Sequence, residues 1–75
     1  MTGLDPAVRN YLVVRRLAIG LNQRDLAVLL GTSQGPVSEM ENGLRDVRFS
    51  TLTRWAAALG VRPVVGWELL PEDES

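Results

Sequence analysis

The stretch GTSQGPVSEMENG, residues 31–43, decides the fold that this sequence predicts. Ser33 belongs to the residue types that cap the start of a helix. Val37 and Met40 stand three residues apart, as apolar residues on one helix face do. Asparagine followed by glycine is typical of the end of a helix. The stretch therefore predicts a helix over about residues 34–41, and its first glycine would end the helix before it.

Gly35 and Pro36 stand inside the first turn of this helix, although glycine and proline are the weakest helix formers. With Ser33 as the cap, both fall within the first three helical positions, whose N–H groups have no acceptor in the helix. The proline therefore loses no helical hydrogen bond, and glycine tolerates the restriction that a following proline imposes. We expect the Ser33 hydroxyl to accept a hydrogen bond from the N–H of Gly35.

Three further helices are predicted from capping residues and apolar spacing. They cover about residues 5–19, starting at Asp5 and Pro6, then 23–30, after an Asn22 cap, and 49–59. The apolar residues that the helical period turns inward are Val8, Tyr11, Leu12, Ile19, Leu26, Leu29, Leu30, Phe49, Leu52, Trp55, Ala56 and Leu59.

The segment 64–70, VVGWELL, alternates apolar and other residues with a period of two, which predicts a β-strand. Val65, Trp67 and Leu69 share one face of it. A lone strand leaves its backbone groups unpaired, so we expect it to pair with its twin in a second copy of the chain. The alternative is that the segment folds back onto its own helices. Residues 71–75 are expected to form a disordered acidic tail.

Composition excludes several classes of function. The chain has 75 residues, which predicts one domain, and it contains neither cysteine nor histidine. Disulfides, thiolate metal sites and catalysis by Cys or His are therefore excluded, and we expect no enzyme, no metal and no cofactor. No apolar run reaches the roughly 20 residues that span a membrane, and the first ten residues do not resemble a signal peptide. We expect a soluble, cytoplasmic protein with no membrane partner.

Charge is unevenly distributed along the chain. The net charge is −1, but four of the nine acidic residues lie among the last eight residues. Without those eight residues, eight basic residues face five acidic ones, a net charge of +3. All eight basic residues are arginines, whose planar guanidinium suits phosphate, although all-Arg usage also occurs as a general compositional bias.

The two central helices have the spacing of a helix–turn–helix, in which the second helix enters the major groove of DNA. The run GLNQRDLAVLLGTSQGPVSEMENG, residues 20–43, and the run STLTRWAAALGV, residues 50–61, resemble the phage repressor/Cro family, also called the Xre family. The resemblance covers about residues 8–61. It implies a repressor-like domain of four or five helices in a bacterial or phage protein that binds double-stranded DNA, usually as a homodimer on a palindromic operator.

The resemblance also implies roles for individual residues. The positions that read bases are Gln34, Gly35, Pro36, Ser38 and Glu39, and those near the DNA backbone are Asn22, Gln23, Ser33, Asn42, Arg45 and Arg48. Arg16 and Glu41 match a pair that forms a structural salt bridge. A Gln side chain suits adenine and a Glu side chain suits cytosine N4. We expect few base contacts, of which Gln34 makes the main one.

The fold class expected is therefore mostly α: a four-helix repressor-like helix–turn–helix domain plus a short C-terminal β-strand that pairs across a dimer. The leading function is a transcriptional regulator, a repressor that occupies its operator. The C-terminal strand also resembles the ending of short antitoxins of toxin–antitoxin pairs. That second resemblance implies an alternative, an antitoxin that binds and neutralises a toxin protein and uses DNA binding for autoregulation. A further alternative is that the motif serves only as a scaffold and binds no DNA.

Overall fold

The computed structural model describes residues 4–62, which form four α-helices. The helices are α1 Pro6–Ala18, α2 Gln23–Leu30, α3 Gln34–Glu41 and α4 Phe49–Ala58. Their bounds agree with the prediction to within one residue at each end. Residues 4–62 contain no β-strand, and the strand and tail predicted for 64–70 and 71–75 lie outside the described residues. No helix in the described part is long and apolar enough to cross a membrane.

Local capping explains where α1 and α2 begin. Asp5 accepts a hydrogen bond from the N–H of Ala7 at 2.8 Å, and a proline occupies the first helical position. At α2, Asn22 accepts from the N–H of Asp25 at 2.7 Å, and the Asp25 carboxylate accepts from the N–H of Asn22 at 3.0 Å. This reciprocal capping box satisfies two amides that the helix itself leaves without a partner.

The turn between α2 and α3 depends on Gly31. Its φ of 70° lies in the left-handed region, where a side chain would be strained. The N–H of Thr32 then donates to the carbonyl of Ala27 at 2.9 Å, which closes the end of α2. α3 can therefore start only three residues after α2 ends.

The capping bond predicted for Ser33 is wrong. Ser33 does occupy the N-cap position with an extended backbone, but its side chain makes no capping hydrogen bond. A cap oxygen bonds to the second or third amide of its helix, and in α3 the third residue is Pro36, which has no N–H. Pro36 therefore removes one of the two possible amide partners, but the N–H of Gly35 is present, and nothing in the structure explains why the exposed Ser33 does not bond to it.

The hydrophobic core lies between all four helices. Ten apolar residues are buried in it: Leu12, Leu26, Ala27, Leu30, Val37, Met40, Leu52, Trp55, Ala56 and Leu59. Trp55 is the largest of the fully buried side chains. Burial of each large apolar side chain contributes about 1.5–3 kcal/mol, so this cluster holds the two helices of the helix–turn–helix against α4.

Five residues predicted to face the core are exposed instead: Val8, Tyr11, Ile19, Leu29 and Phe49. α1 buries only Leu12 and Arg16, so its other apolar positions lie beyond the contact. The buried face of α2 consists of Leu26, Ala27 and Leu30. It is therefore centred on the Ala27 side of Leu26, and Leu29 points away from the core. Phe49 is the first residue of α4 and precedes the turn at which the core begins.

Candidate nucleic-acid interface

The five predicted base-reading residues are all at least partly exposed on α3. Gln34 and Gly35 are exposed, and Pro36, Ser38 and Glu39 are partly exposed, whereas Val37, Met40 and Glu41 are buried. Residues four apart are neighbours on a helix surface, so Ser38 follows Gln34 and Glu39 follows Gly35 along the outer side. α3 therefore presents a polar outer face beside an inner face that belongs to the core.

A buried ion pair ties α1 to the end of α3. The Nε of Arg16 donates to Glu41 Oε2 at 2.7 Å, and its Nη2 donates to Oε1 at 3.0 Å. The Nη1 of the same guanidinium donates to the carbonyl of Leu21 at 2.8 Å. The two charged side chains are only 8% and 4% exposed. The pair is bidentate and satisfied on several sides, as buried charges require.

Hydrogen bonds continue from this ion pair to the outer face of α3. The Nε2 of Gln23 donates to Glu41 Oε1 at 3.0 Å, and the Nε2 of Gln34 donates to Gln23 Oε1 at 3.3 Å. A carboxylate only accepts hydrogen bonds, so Gln23 must turn its NH₂ group toward Glu41 and its oxygen toward Gln34. Gln34 is thereby oriented with its nitrogen toward α2.

The oriented Gln34 keeps the groups that adenine requires. One N–H of its amide is used toward Gln23, which leaves a second N–H and the carbonyl oxygen. Adenine presents N7 as an acceptor and N6 as a donor in the major groove, which matches one donor and one acceptor. The chain from Arg16 to Gln34 thus connects the interior of the fold to the residue best suited to read a base.

A shallow depression of about 250 Å³ lies beside Gln34, at the start of α2. It is lined by Asn22, Gln23, Arg24 and Gln34. The exposed Arg24 was not predicted as a site residue, because the family resemblance implied no role for it. A cation in the first turn of a helix opposes the helix dipole. That unfavourable placement next to Gln23 is the signal that could have identified it.

The other residues predicted to contact the DNA backbone differ in whether their polar groups are already used in hydrogen bonds within the protein. Ser33 and Arg48 are exposed at the N-cap positions of α3 and α4, and neither makes a side-chain capping bond. The oxygen of Asn22 is used in the capping box. The Nδ2 of Asn42 donates to the backbone oxygen of Ser38 at 2.8 Å and to its hydroxyl at 3.3 Å. Asn42 is therefore turned toward its own helix.

Two predicted site residues are paired with each other. Both Nε and Nη2 of Arg45 donate to Oε1 of Glu39, at 2.9 Å and 2.6 Å. The two side chains are 46% and 47% exposed. The predicted base reader Glu39 and the predicted backbone contact Arg45 thus form one exposed ion pair at the end of α3.

Two arginines donate hydrogen bonds to backbone carbonyls at the ends of helices. Arg15 donates from Nε to the carbonyl of Leu59 at 2.9 Å, and Arg54 donates from Nη2 to the carbonyl of Leu30 at 2.7 Å. These carbonyls lie at the ends of α4 and α2, where intrahelical donors are missing. Arg16, by contrast, is buried against Glu41, so the basic charge available to a nucleic acid is smaller than the composition implies.

Comparison with protein families matches residues 14–65 to the helix–turn–helix family. The match covers most of the chain, and the protein belongs to this family. No solved structure matches the chain. Family membership supports a DNA-binding transcription regulator. Within residues 4–62, no group of acidic side chains is arranged to hold a metal ion.

Proposed function

We propose that this protein is a transcriptional repressor that binds a palindromic operator in double-stranded DNA as a homodimer. The observation that carries the proposal is the outer face of α3, on which Gln34 is oriented by Gln23 and the buried ion pair. A side chain held in the geometry that its ligand requires loses little entropy on binding. A structural scaffold alone would not need an amide oriented on its exposed face.

In this proposal α3 enters the major groove, where Gln34 reads adenine and Ser38 contacts a neighbouring base. The start of α2 lies against a phosphate, with Gln23 and Arg24 at the rim of the depression. The uncapped hydroxyl of Ser33 and the exposed Arg48 supply further donors to the backbone. Occupancy of the operator then excludes RNA polymerase.

The homodimer rests on the alternating segment 64–70, whose residues Val65, Trp67 and Leu69 would pair with the same strand of a second copy. A two-fold axis through that pairing would place two recognition helices about 34 Å apart, one turn of DNA. Size-exclusion chromatography with light scattering at micromolar concentration tests the dimer, and Trp67→Asp is expected to give a monomer. A wild-type protein that is monomeric would contradict it.

DNA binding is tested by selecting bound duplexes from a random pool at two salt concentrations. We expect an enriched palindrome whose half-sites are about one helical turn apart, with affinity that falls steeply as salt rises. Gln34→Ala should relax the adenine preference at one position per half-site by about 1–3 kcal/mol. Asn10→Ala, which removes an exposed amide on α1, is the matched control and should leave the preference unchanged.

Two results of this selection would contradict the proposal. If no sequence is enriched at either salt concentration, the helix–turn–helix serves as a scaffold. If a sequence is enriched but Gln34→Ala leaves its preference intact, the assignment of Gln34 is wrong. The antitoxin alternative rests on the segment 64–70, the acidic tail and the resemblance of the loop around Val47, and we do not propose it.

A further inference from the structure

We propose that Glu39 and Arg45 act as one unit that selects a G·C base pair in each half-site. In this unit Arg45 donates to guanine, and Glu39 holds Arg45 in position and accepts from the cytosine of the same pair. The inference rests on the proposed function, and it changes two roles: Arg45 becomes a base reader, and Glu39 no longer acts alone.

The loop after α3 brings Arg45 back to Glu39. Gly43 has a φ of 73°, and the N–H of Leu44 donates to the carbonyl of Glu39 at 2.8 Å. This bond folds the chain back onto the last turn of the helix, as in other glycine-ended helices. Arg45 follows directly, so its short contacts to the Glu39 carboxylate are supported by the backbone.

The ion pair keeps free groups for a ligand. Arginine has five N–H donors, and the contacts with Glu39 Oε1 use the Nε–H and one hydrogen of Nη2. Three N–H groups are left on Arg45. Oε2 of Glu39 has no hydrogen-bond partner within residues 4–62, and both side chains are nearly half exposed. The pair therefore offers several donors and one acceptor side by side.

That arrangement matches the major-groove edge of a G·C pair. Guanine presents O6 and N7 as acceptors, and cytosine presents N4 as a donor next to them. Arg45 can donate to O6 and N7 while Oε2 of Glu39 accepts from N4. An A·T pair opposes both groups, because adenine N6 is a donor facing the arginine and thymine O4 is an acceptor facing the carboxylate.

The surface of α3 leaves room for this contact. Gly35 lies one turn before Glu39 on the same side and has no side chain. A Cβ added at Gly35 would meet no atom within 4 Å apart from its chain neighbours and the backbone of its own helix. A base edge can therefore approach the ion pair without displacing a neighbour.

The pairing also explains why a carboxylate is tolerated on a face that meets DNA. An isolated Glu39 would repel nearby phosphates, whereas its charge is compensated by Arg45 at 2.6 Å. A phosphate at the three free N–H groups of Arg45 would instead bring a second anion close to the Glu39 carboxylate, whereas the edge of guanine carries no net charge. Charge compensation thus favours a base over a phosphate as the ligand of Arg45.

Random-pool selection with Glu39→Gln, Arg45→Gln and, as a control, Arg48→Gln tests the inference. The wild type should enrich a G·C pair at one position of each half-site. Both Glu39→Gln and Arg45→Gln should reduce that preference by roughly 5- to 100-fold and leave the adenine preference of Gln34 unchanged. Arg48→Gln, at a backbone position in the same loop, should weaken all duplexes alike and lower the salt slope by about one unit.

Three outcomes would overturn the inference. Uniform weakening by Arg45→Gln, with a salt slope lowered as in Arg48→Gln, would make Arg45 a phosphate contact. Uniform strengthening by Glu39→Gln, with unchanged base preferences, would make Glu39 only a repulsive charge. Both results leave the proposed function intact, whereas a wild type that enriches no sequence would remove the proposed function and the inference together. Circular dichroism of each variant confirms that the fold is retained.

Discussion

α3 carries two ion pairs with similar chemistry and opposite surroundings. Each joins a glutamate of α3 to an arginine from outside the helix, Glu41 to Arg16 at 2.7 Å and Glu39 to Arg45 at 2.6 Å. The side chains of the first pair are less than one tenth exposed, whereas those of the second are nearly half exposed. The two glutamates are only two residues apart, which on a helix turns them toward opposite sides.

Burial decides what each pair does. A charge removed from water must stay paired, so the Arg16–Glu41 pair cannot exchange partners without a large cost. Water and salt already compete with the Glu39–Arg45 pair, so it contributes little to stability and can reorient toward a ligand. One short helix thus combines a fixed pair that supports the fold with an available pair that we assign to recognition.

The largest effect is expected from breaking the buried pair. Arg16→Ala should lower the free energy of unfolding by about 3–5 kcal/mol, because Glu41 would stay buried with an unpaired charge. Urea denaturation followed by circular dichroism measures it. The double variant Arg16→Met/Glu41→Leu, which removes both charges, should recover most of the loss. A loss below about 1 kcal/mol in Arg16→Ala would show that the two pairs are energetically alike.

A smaller loss is expected at the turn that supports the exposed pair. Gly43→Ala should lower the free energy of unfolding by about 1–3 kcal/mol, because a φ of 73° strains a residue with a side chain, while the flexible guanidinium of Arg9 can move away from the added Cβ. Gly43→Asn, which adds a side chain of the type that best tolerates a positive φ, is the control and should lose less stability than Gly43→Ala. Equal losses in the two variants would mean that the positive φ does not cause the loss.

Gln23→Ala should cost about 1 kcal/mol in the free energy of unfolding, since Glu41 loses one of its hydrogen bonds but keeps Arg16. Its effect on DNA binding should be more specific. The adenine preference at the Gln34 position should weaken although Gln34 itself is unchanged, because its orientation depends on Gln23. Selection from the random pool measures that preference. A preference equal to that of the wild type would show that the hydrogen bonds from the buried pair through Gln23 do not influence base reading by Gln34.

The smallest effect on stability is expected from the exposed pair. Arg45→Gln and Glu39→Gln should each change the free energy of unfolding by less than about 1 kcal/mol. The same denaturation experiment measures both, at low and at high salt, and the small effect should shrink further as salt screens the pair. A loss as large as that of Arg16→Ala would contradict the division between a structural and an available pair.

Much of the local structure could be predicted from the sequence. Asp5, Asn22 and Gly31 define where helices begin and end through bonds that span only a few residues, so their positions follow from residue type. The residues on the outer face of α3 were predicted from the family resemblance. The capping bond of Ser33 was predicted wrongly, because residue type shows that a side chain can cap a helix but does not fix the conformation of that side chain.

The core was predicted less accurately, because burial depends on how the helices pack against one another. Helical spacing placed Leu12, Trp55 and Leu59 correctly inside, yet it also turned Leu29 and Phe49 inward, which are 56% and 68% exposed. Periodicity describes one helix at a time, and it contains no information on how far a neighbouring helix extends along it. The length of each contact is a property of the assembled helices.

The sequence by itself determined the four helices, the short turn between α2 and α3, and the polar outer face that follows from them, because capping and helical periodicity act over a few residues. Tertiary structure alone decided which arginines are available. Arg15 reaches Leu59 across 44 residues and Arg54 reaches Leu30 across 24, so only packing of the helices brings these partners together. The same packing buries Glu41 and leaves Glu39 in solvent, because the two residues lie on opposite sides of one helix.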